Sequence, residues 1–392
     1  MRRIFALFLI TAGLLFPAAI RTSQQQEEPP PPQHESVVVN IEVPVRVFRG
    51  DSFVDSLTLN DFEVYEEGIL QELQAVYLIK DTNIIKEEKT AGQITQAAPP
   101  TVRHFLLNIE VKDYLPQISD ALDYFFKEVI RPGDTLQVVT PLKTYRFRSE
   151  ALTRLPPERI SDQLKTKLKT DIKEGNTQFR TLMRDFYHLL ETRYPPELAE
   201  LKHRQLFDIC KQMRDLTDIL ERNVLQFADT LKTLIGQKHV FLFYQKDVLP
   251  NYEFDDFEQM ELLKPVSFDV SKIKQYYSDA SVTVHFLFIT KEPQAALHTM
   301  GQDAPVIFSR LQDMSGNIFG AFSEMAKATG GLTESTQNPA FALQQASEAS
   351  RNYYLLFYQP RIYRADGKFK RIEVKIKSGN FRITHRAGYI AD

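Results

Sequence analysis

Side chains able to do acid–base, nucleophilic or metal chemistry are few in this chain, and their spacing is poor for it. Eight histidines, His34, His104, His188, His203, His239, His285, His298 and His385, are scattered singly along 392 residues. None stands in a His-Glu-x-x-His pair, which sets two imidazoles and a general base on one helix face, and none lies at ligand spacing from a cysteine. The lone cysteine, Cys210, falls inside a helical pattern, where a thiol serves as a small apolar side chain. The sequence has no Gly-x-Ser-x-Gly nucleophile turn and no phosphate-cradling loop, and glycine is sparse at 15 residues. Glu253, Asp255, Asp256 and Glu258 crowd one stretch, and such a run of like charge reads as a solvated loop. The most informative signal is a strand end, where the buried-type run Phe105-Leu106-Leu107-Asn108-Ile109 continues into Glu110, Val111, Lys112 and Asp113. Polar groups at such an edge suit binding, and nothing supports catalysis.

Those residues need a sheet to position them. Between Thr101 and about Gly331, strand and helix patterns alternate, the signature of a mostly parallel sheet with helices on both faces. Strands are expected at Arg103 to Ile109, Thr135 to Thr140, His239 to Tyr244 and Val282 to Ile289, each a short apolar run suited to burial on both sides. Helices are expected at Leu115 to Val129, Pro157 to Lys173, Gln178 to Thr192 and Ile318 to Thr329, the last closed by Gly330-Gly331. A long helix from Pro196 to about Ile235 carries one apolar stripe, read as packing on the sheet, with its first half able to dock a partner helix. Strand patterns flank this region at Val37 to Val47, Asp61 to Glu66 and Gln71 to Ile79, and again at Tyr353 to Tyr358, Phe369 to Lys377 and Phe381 to Tyr389. Three strands are too few to be stable alone, so pairing the two sets into one split β-sandwich satisfies both.

The N-terminus and the charge balance bound the setting. Met1-Arg2-Arg3, an apolar run from Ile4 to Ile20 and a polar tract have the layout of a secretory signal, with an uncleaved membrane anchor as the alternative. The expected organisation is a signal peptide at 1–20, a Pro/Gln-rich linker at 21–36, sandwich strands at 37–80, a second linker at 81–100, the α/β domain at 101–335 and the remaining sandwich at 350–392. Export to the periplasm, cell envelope or extracellular space follows. Membrane contact is expected only through an uncleaved N-terminal segment. Basic and acidic residues number 48 and 51, so no broad positive field exists to draw in nucleic acid.

In this order the chain resembles the von Willebrand factor type A-related proteins of bacterial secretomes. The likeness rests on Asn60-Asp61-Phe62-Glu63-Val64-Tyr65-Glu66-Glu67-Gly68 with Gln71-Glu72, on Ala326-Lys327-Ala328-Thr329-Gly330-Gly331, and on Tyr353-Tyr354-Leu355-Leu356-Phe357-Tyr358-Gln359-Pro360. Asp366-Gly367-Lys368-Phe369-Lys370-Arg371-Ile372 and Arg386-Ala387-Gly388-Tyr389 complete it. The resemblance implies a Rossmann-like type A domain inserted in the split sandwich. It also implies a metal-ion-dependent adhesion site built from Asp-x-Ser-x-Ser, a Thr and a further Asp. Here Asn108 falls on the first Asp, Glu110 and Lys112 on the serines, Thr177 on the Thr and Gln245 on the last Asp, so only Thr177 survives. A hard divalent cation needs oxygen ligands, some of them anionic, at about 2.0 to 2.1 Å, and an ammonium at Lys112 repels it.

The expectation is therefore a degenerate site with no metal or other cofactor. Lys112 is expected to pair with Glu110, while Asn108 and Gln245 replace two aspartates as neutral hydrogen-bonding groups. The chain then reads as a non-enzymatic protein-binding or assembly module for a protein partner whose identity the sequence does not give. The alternative is a metal-dependent adhesin whose cation site is rebuilt from Glu110, Asp113 and Asp247.

Overall fold

The structure is a computed structural model that describes residues 39–90, 98–217, 219, 221–264, 268–293 and 311–392. The expected signal segment, and all of the first linker, lie outside these residues. Among those described, no helix is long and apolar enough to cross a membrane.

Six strands come first: β1 (Ile41–Arg49), β2 (Ser52–Phe53), β3 (Phe62–Glu66), β4 (Ile69–Gln71), β5 (Leu73–Lys80) and β6 (Asn83–Lys89). An alternating region follows, with strands β7 (Arg103–Glu110), β8 (Thr135–Val139), β9 (Thr144–Phe147), β10 (Gln237–Gln245), β11 (Val248–Pro250), β12 (Val282–Ile289), β13 (Leu311–Asp313) and β14 (Thr333–Thr336). Its helices are α1 (Pro116–Tyr124), α2 (Ser149–Arg154), α3 (Pro157–Gly175), α4 (Thr177–Glu191), α5 (Ala199–Thr217), α6 (Glu221–Lys232), α7 (Asp256–Leu262), α8 (Val270–Asp279), α9 (Gly316–Ala328) and α10 (Pro339–Arg351). The chain closes with β15 (Asn352–Tyr358), β16 (Phe369–Ile376), β17 (Arg382–His385) and β18 (Gly388–Ile390).

The fold is mixed α/β, centred on a six-stranded sheet in the order β14-β12-β10-β7-β8-β9, parallel except for β9 at one edge. Alternate residues of each strand feed opposite cores. Phe105, Leu107 and Ile109 of β7 join Phe241 and Phe243 of β10 under α1, α3 and α10. Leu106, Val240, Leu242 and Tyr244 point the other way, beneath α6, α8 and α9. Each such side chain contributes about 1.5–3 kcal/mol by leaving water, which is why these strands read as continuous apolar runs. A satellite core gathers Phe179, Met183 and Phe186 of α4, Leu206, Cys210 and Met213 of α5, and the short β11.

Strands from both ends of the chain share two further sheets. β1 lies between β15 and β17, pairing Ile41 with Tyr358 and Val45 with His385, and β5 and β6 extend the sheet beyond β15. β16 pairs with β3 and β18, and β3 with β4 through a hairpin in which Glu67 and Gly68 both take positive φ. Val43, Val45, Val64, Leu356 and Ile372 fill the space between the sheets. These strands meet the central sheet at its N-terminal edge: Arg46 of β1 donates to Thr283 Oγ1 at 3.3 Å, and Ile390 N to Asp279 Oδ1 at 2.8 Å. Gly331 is fixed by close approach, since a Cβ there would stand 1.8 Å from the Val284 carbonyl oxygen.

Three elements depart from the sequence reading. The stretch 81–100, read as a linker, holds β6, whose alternating exposure shows it is an edge strand wet on one face. The helix expected from Pro196 to Ile235 is two helices, because its stripe serves two cores: α5 packs on α4 and α7, and only α6 packs on the sheet. The strand expected from Phe381 to Tyr389 is also divided, β17 joining β1 in one sheet and β18 joining β16 in the other.

Candidate functional site at the C-terminal rim

Gln245 is the last residue of β10 and continues the face of Phe241 and Phe243, so its amide emerges where the loops after β7 and β12 converge. Its Oε1 accepts from the backbone N–H of Lys112 at 2.9 Å and of Asp113 at 3.2 Å, and its Nε2 donates to the Lys291 carbonyl at 2.9 Å. The side chain is 1% exposed, so each bond is made away from competing water. One neutral amide thus ties three strand ends together.

Past Glu110 the chain leaves the sheet, and Lys112 no longer follows the strand alternation. Its ammonium lies 3.4 Å from Asp247 Oδ1 and 5.5 Å from the centre of the Phe179 ring. The expected pairing with Glu110 is therefore replaced by an ion pair with Asp247, and Glu110 stays within the electrostatic reach of both. Burial raises the Glu110 carboxyl above the usual carboxylate range; Lys112 opposes that rise and Asp247 adds to it. Asp247 also accepts from the Tyr244 hydroxyl, while its backbone N–H donates to Ser315 Oγ at 2.9 Å. Arg180 of α4 donates to the Lys112 carbonyl at 2.8 Å and stands 3.7 Å from Asp113 Oδ1.

The five residues singled out by sequence do not form one site. Lys112 and Gln245 meet at the rim. Thr177, the first residue of α4, is exposed and turns its hydroxyl back to the Lys173 carbonyl at 3.2 Å. Its neighbour Asn176 takes the inward place, donating to the Val111 carbonyl at 3.0 Å and the Ile172 carbonyl at 2.9 Å. Asn108 lies within β7, in register with Leu242 and Val139, so it and Glu110 face the α6 side of the sheet, below the rim. Sequence reasoning missed Asn176, Arg180, Tyr244 and Ser315. Only Asn176 left a signal, as an asparagine at the junction of two helical patterns.

This donor set does not suit a hard divalent cation. An ammonium stands against Asp247, both ends of the Gln245 amide are engaged, and the Thr177 hydroxyl is turned away. Among the described residues no three His, Cys, Asp or Glu side chains are grouped to hold a metal ion. Among the described residues Ser350 Oγ lies 2.6 Å from His285 Nε2, but this Ser–His pair is a core contact. His285 Nδ1 accepts from the Leu332 N–H, so Nε2 carries the proton and cannot take one from Ser350.

No family model matches the chain, and no curated protein matches it. Among solved structures, the crystal structure of the human COPII-coat protein Sec24c aligns with a TM-score of 0.33 and 8% identity. That alignment covers 74% of this chain and 44% of that one.

Proposed function

We propose that the chain is an exported, non-enzymatic protein-binding or assembly module built on a metal-free type A domain inserted in a split β-sandwich. The observation that carries this reading is the Lys112 ammonium held 3.4 Å from Asp247 Oδ1, at the end of the sheet where open α/β folds bind their ligands. A fixed cationic side chain there takes the place of a bound cation and supplies charge without one. The terminal strands support the same reading, since they seat on the opposite, N-terminal edge of the sheet. Thr177, Arg180 and Lys112 then form the contact surface for a protein partner.

Capture of partner from native extract by wild-type protein and by Lys112→Glu tests this. Loss of capture by a variant that still unfolds cooperatively is expected, at a lowered unfolding temperature because Asp247 loses its ammonium partner, and equal capture overturns the reading. Calorimetry with magnesium and manganese tests the alternative, a rebuilt cation site, and heat of binding at micromolar affinity would favour that adhesin.

A further inference from the structure

β7 has β8 on one side and β10 on the other, so the chain's crossovers leave it in opposite directions and a ligand crevice forms beside it. On the α6 side of this point is a cavity of about 350 Å3. Phe227, Leu242, Tyr277 and Met325 supply its apolar walls, and exposed Asn223 and half-buried Val139 mark its open side.

Two polar groups of β7 break the apolar lining, and neither has a hydrogen-bond partner among the described residues. Asn108 Oδ1 is closed to solvent and accepts no hydrogen bond. Glu110, mostly buried two residues along the same strand face, makes no hydrogen bond with a described residue, and the nearby Lys112 ammonium is held by Asp247. Leaving a buried carbonyl unpaired is costly to the fold, and leaving a buried carboxylate unpaired is more so. Packing did not remove this cost, although leucine at 108 would match Leu106 beside it.

We propose that this cavity binds a small apolar molecule ending in a primary ammonium group. The head donates to the Glu110 carboxylate and Asn108 Oδ1, and the hydrocarbon body lies between Phe227, Leu242 and Met325. An ammonium offers three N–H donors and no acceptor, which complements two acceptors in an apolar chamber. The volume falls at the small end of the range for ligand pockets, about 300–1,000 Å3, so one short chain fits and a large ring system does not. Lys112 lies within the electrostatic reach of Glu110 and opposes a cationic head there, while its own charge is offset by Asp247; amine binding reads this site and partner capture reads the rim, so either can fail alone.

The test uses full-length protein labelled with 13C at its methionine methyls and titrated with n-octylamine, octan-1-ol and octanoate. Octylamine is expected to move the Met325 methyl resonance saturably, with the alcohol and the acid binding at least tenfold more weakly. Glu110→Gln should weaken octylamine at least tenfold and leave octan-1-ol unchanged. Val139→Phe, at the half-buried mouth, should weaken all binding. Unmoved Met183 and Met213 methyls, in the satellite core, report that each variant is folded. Equal binding of amine and alcohol, an unchanged amine affinity in Glu110→Gln, or no saturable shift in wild-type protein would each overturn the proposal.

Discussion

The two faces of β7 differ more than any two sides of one element should in a sheet covered by helices on both faces. Phe105, Leu107 and Ile109 enter a buried apolar core, Leu107 at 0% and Ile109 at 1% exposure, with Phe105 edge-on to Phe125. Asn108 and Glu110, one position out of phase, face a chamber, and the Asn108 carbonyl has no hydrogen bond among the described residues. One face is organised for stability; the other gives up packing. Ordinary folding requirements account for the first and not the second, so it is the second that points to function.

Substitutions on each face should separate the two. Leu107→Asn puts an unpaired amide and lost volume into the dry face and should cost about 4 kcal/mol in urea unfolding. A cost below 1 kcal/mol would mean that the face is not tightly packed. Gln245→Ala leaves two backbone N–H groups and a carbonyl without partners, and should cost about 3 kcal/mol. If so, protection of the Lys112 and Asp113 amides from hydrogen exchange should fall with it.

Acid should act through the closed face, where His285 stacks on Phe241 and His239 on Phe105. Burial holds both imidazoles neutral, with the Arg46 charge as a further cause, and pushes His285 down to about 3. The unfolded imidazole gains its proton near 6.5 and the folded one does not, so full stability above that pH is lost as pH falls. His285 alone should cost about 2 kcal/mol between pH 7 and pH 5. His285→Gln should show a shallower loss, and identical pH profiles would refute the assignment. On the open face Asn108→Leu removes an unpaired carbonyl and should stabilise by about 1 kcal/mol, whereas a destabilised variant would show that Asn108 has a structural partner.

The central strands were legible because a strand buried on both faces must be apolar throughout, and β7, β8, β10 and β12 fall where such runs predict them. Helix positions α1, α3, α4 and α9 followed from 3.6-residue spacing and end signals. The division between α5 and α6 was not, since an apolar stripe records that a face is covered and not by what. β6 was hidden because an exposed edge strand, Asn83 to Lys89, can be as charged as a linker. At the rim, the resemblance located Lys112 and Gln245 but could not say that the strand runs two residues past Asn108, which puts that side chain below the rim. Arg180 belongs to α4 and Asn176 to the turn between α3 and α4, and their meeting with Lys112 and Val111 is a product of tertiary packing.

The pairing of Ile41 with Tyr358 and of Val45 with His385 bears on how the molecule comes into being. As the chain emerges from its amino end, β1 is made long before β15 and β17, which flank it, and only the short β2 follows it directly. Until they arrive, its backbone amides and carbonyls form an open ladder that any nearby extended peptide, including another nascent copy, can complete. Closing so long a loop is also slow relative to local helix formation. β1 is thus exposed to mispairing during biogenesis, and loss of β15 and β17 leaves most of it uncovered for good.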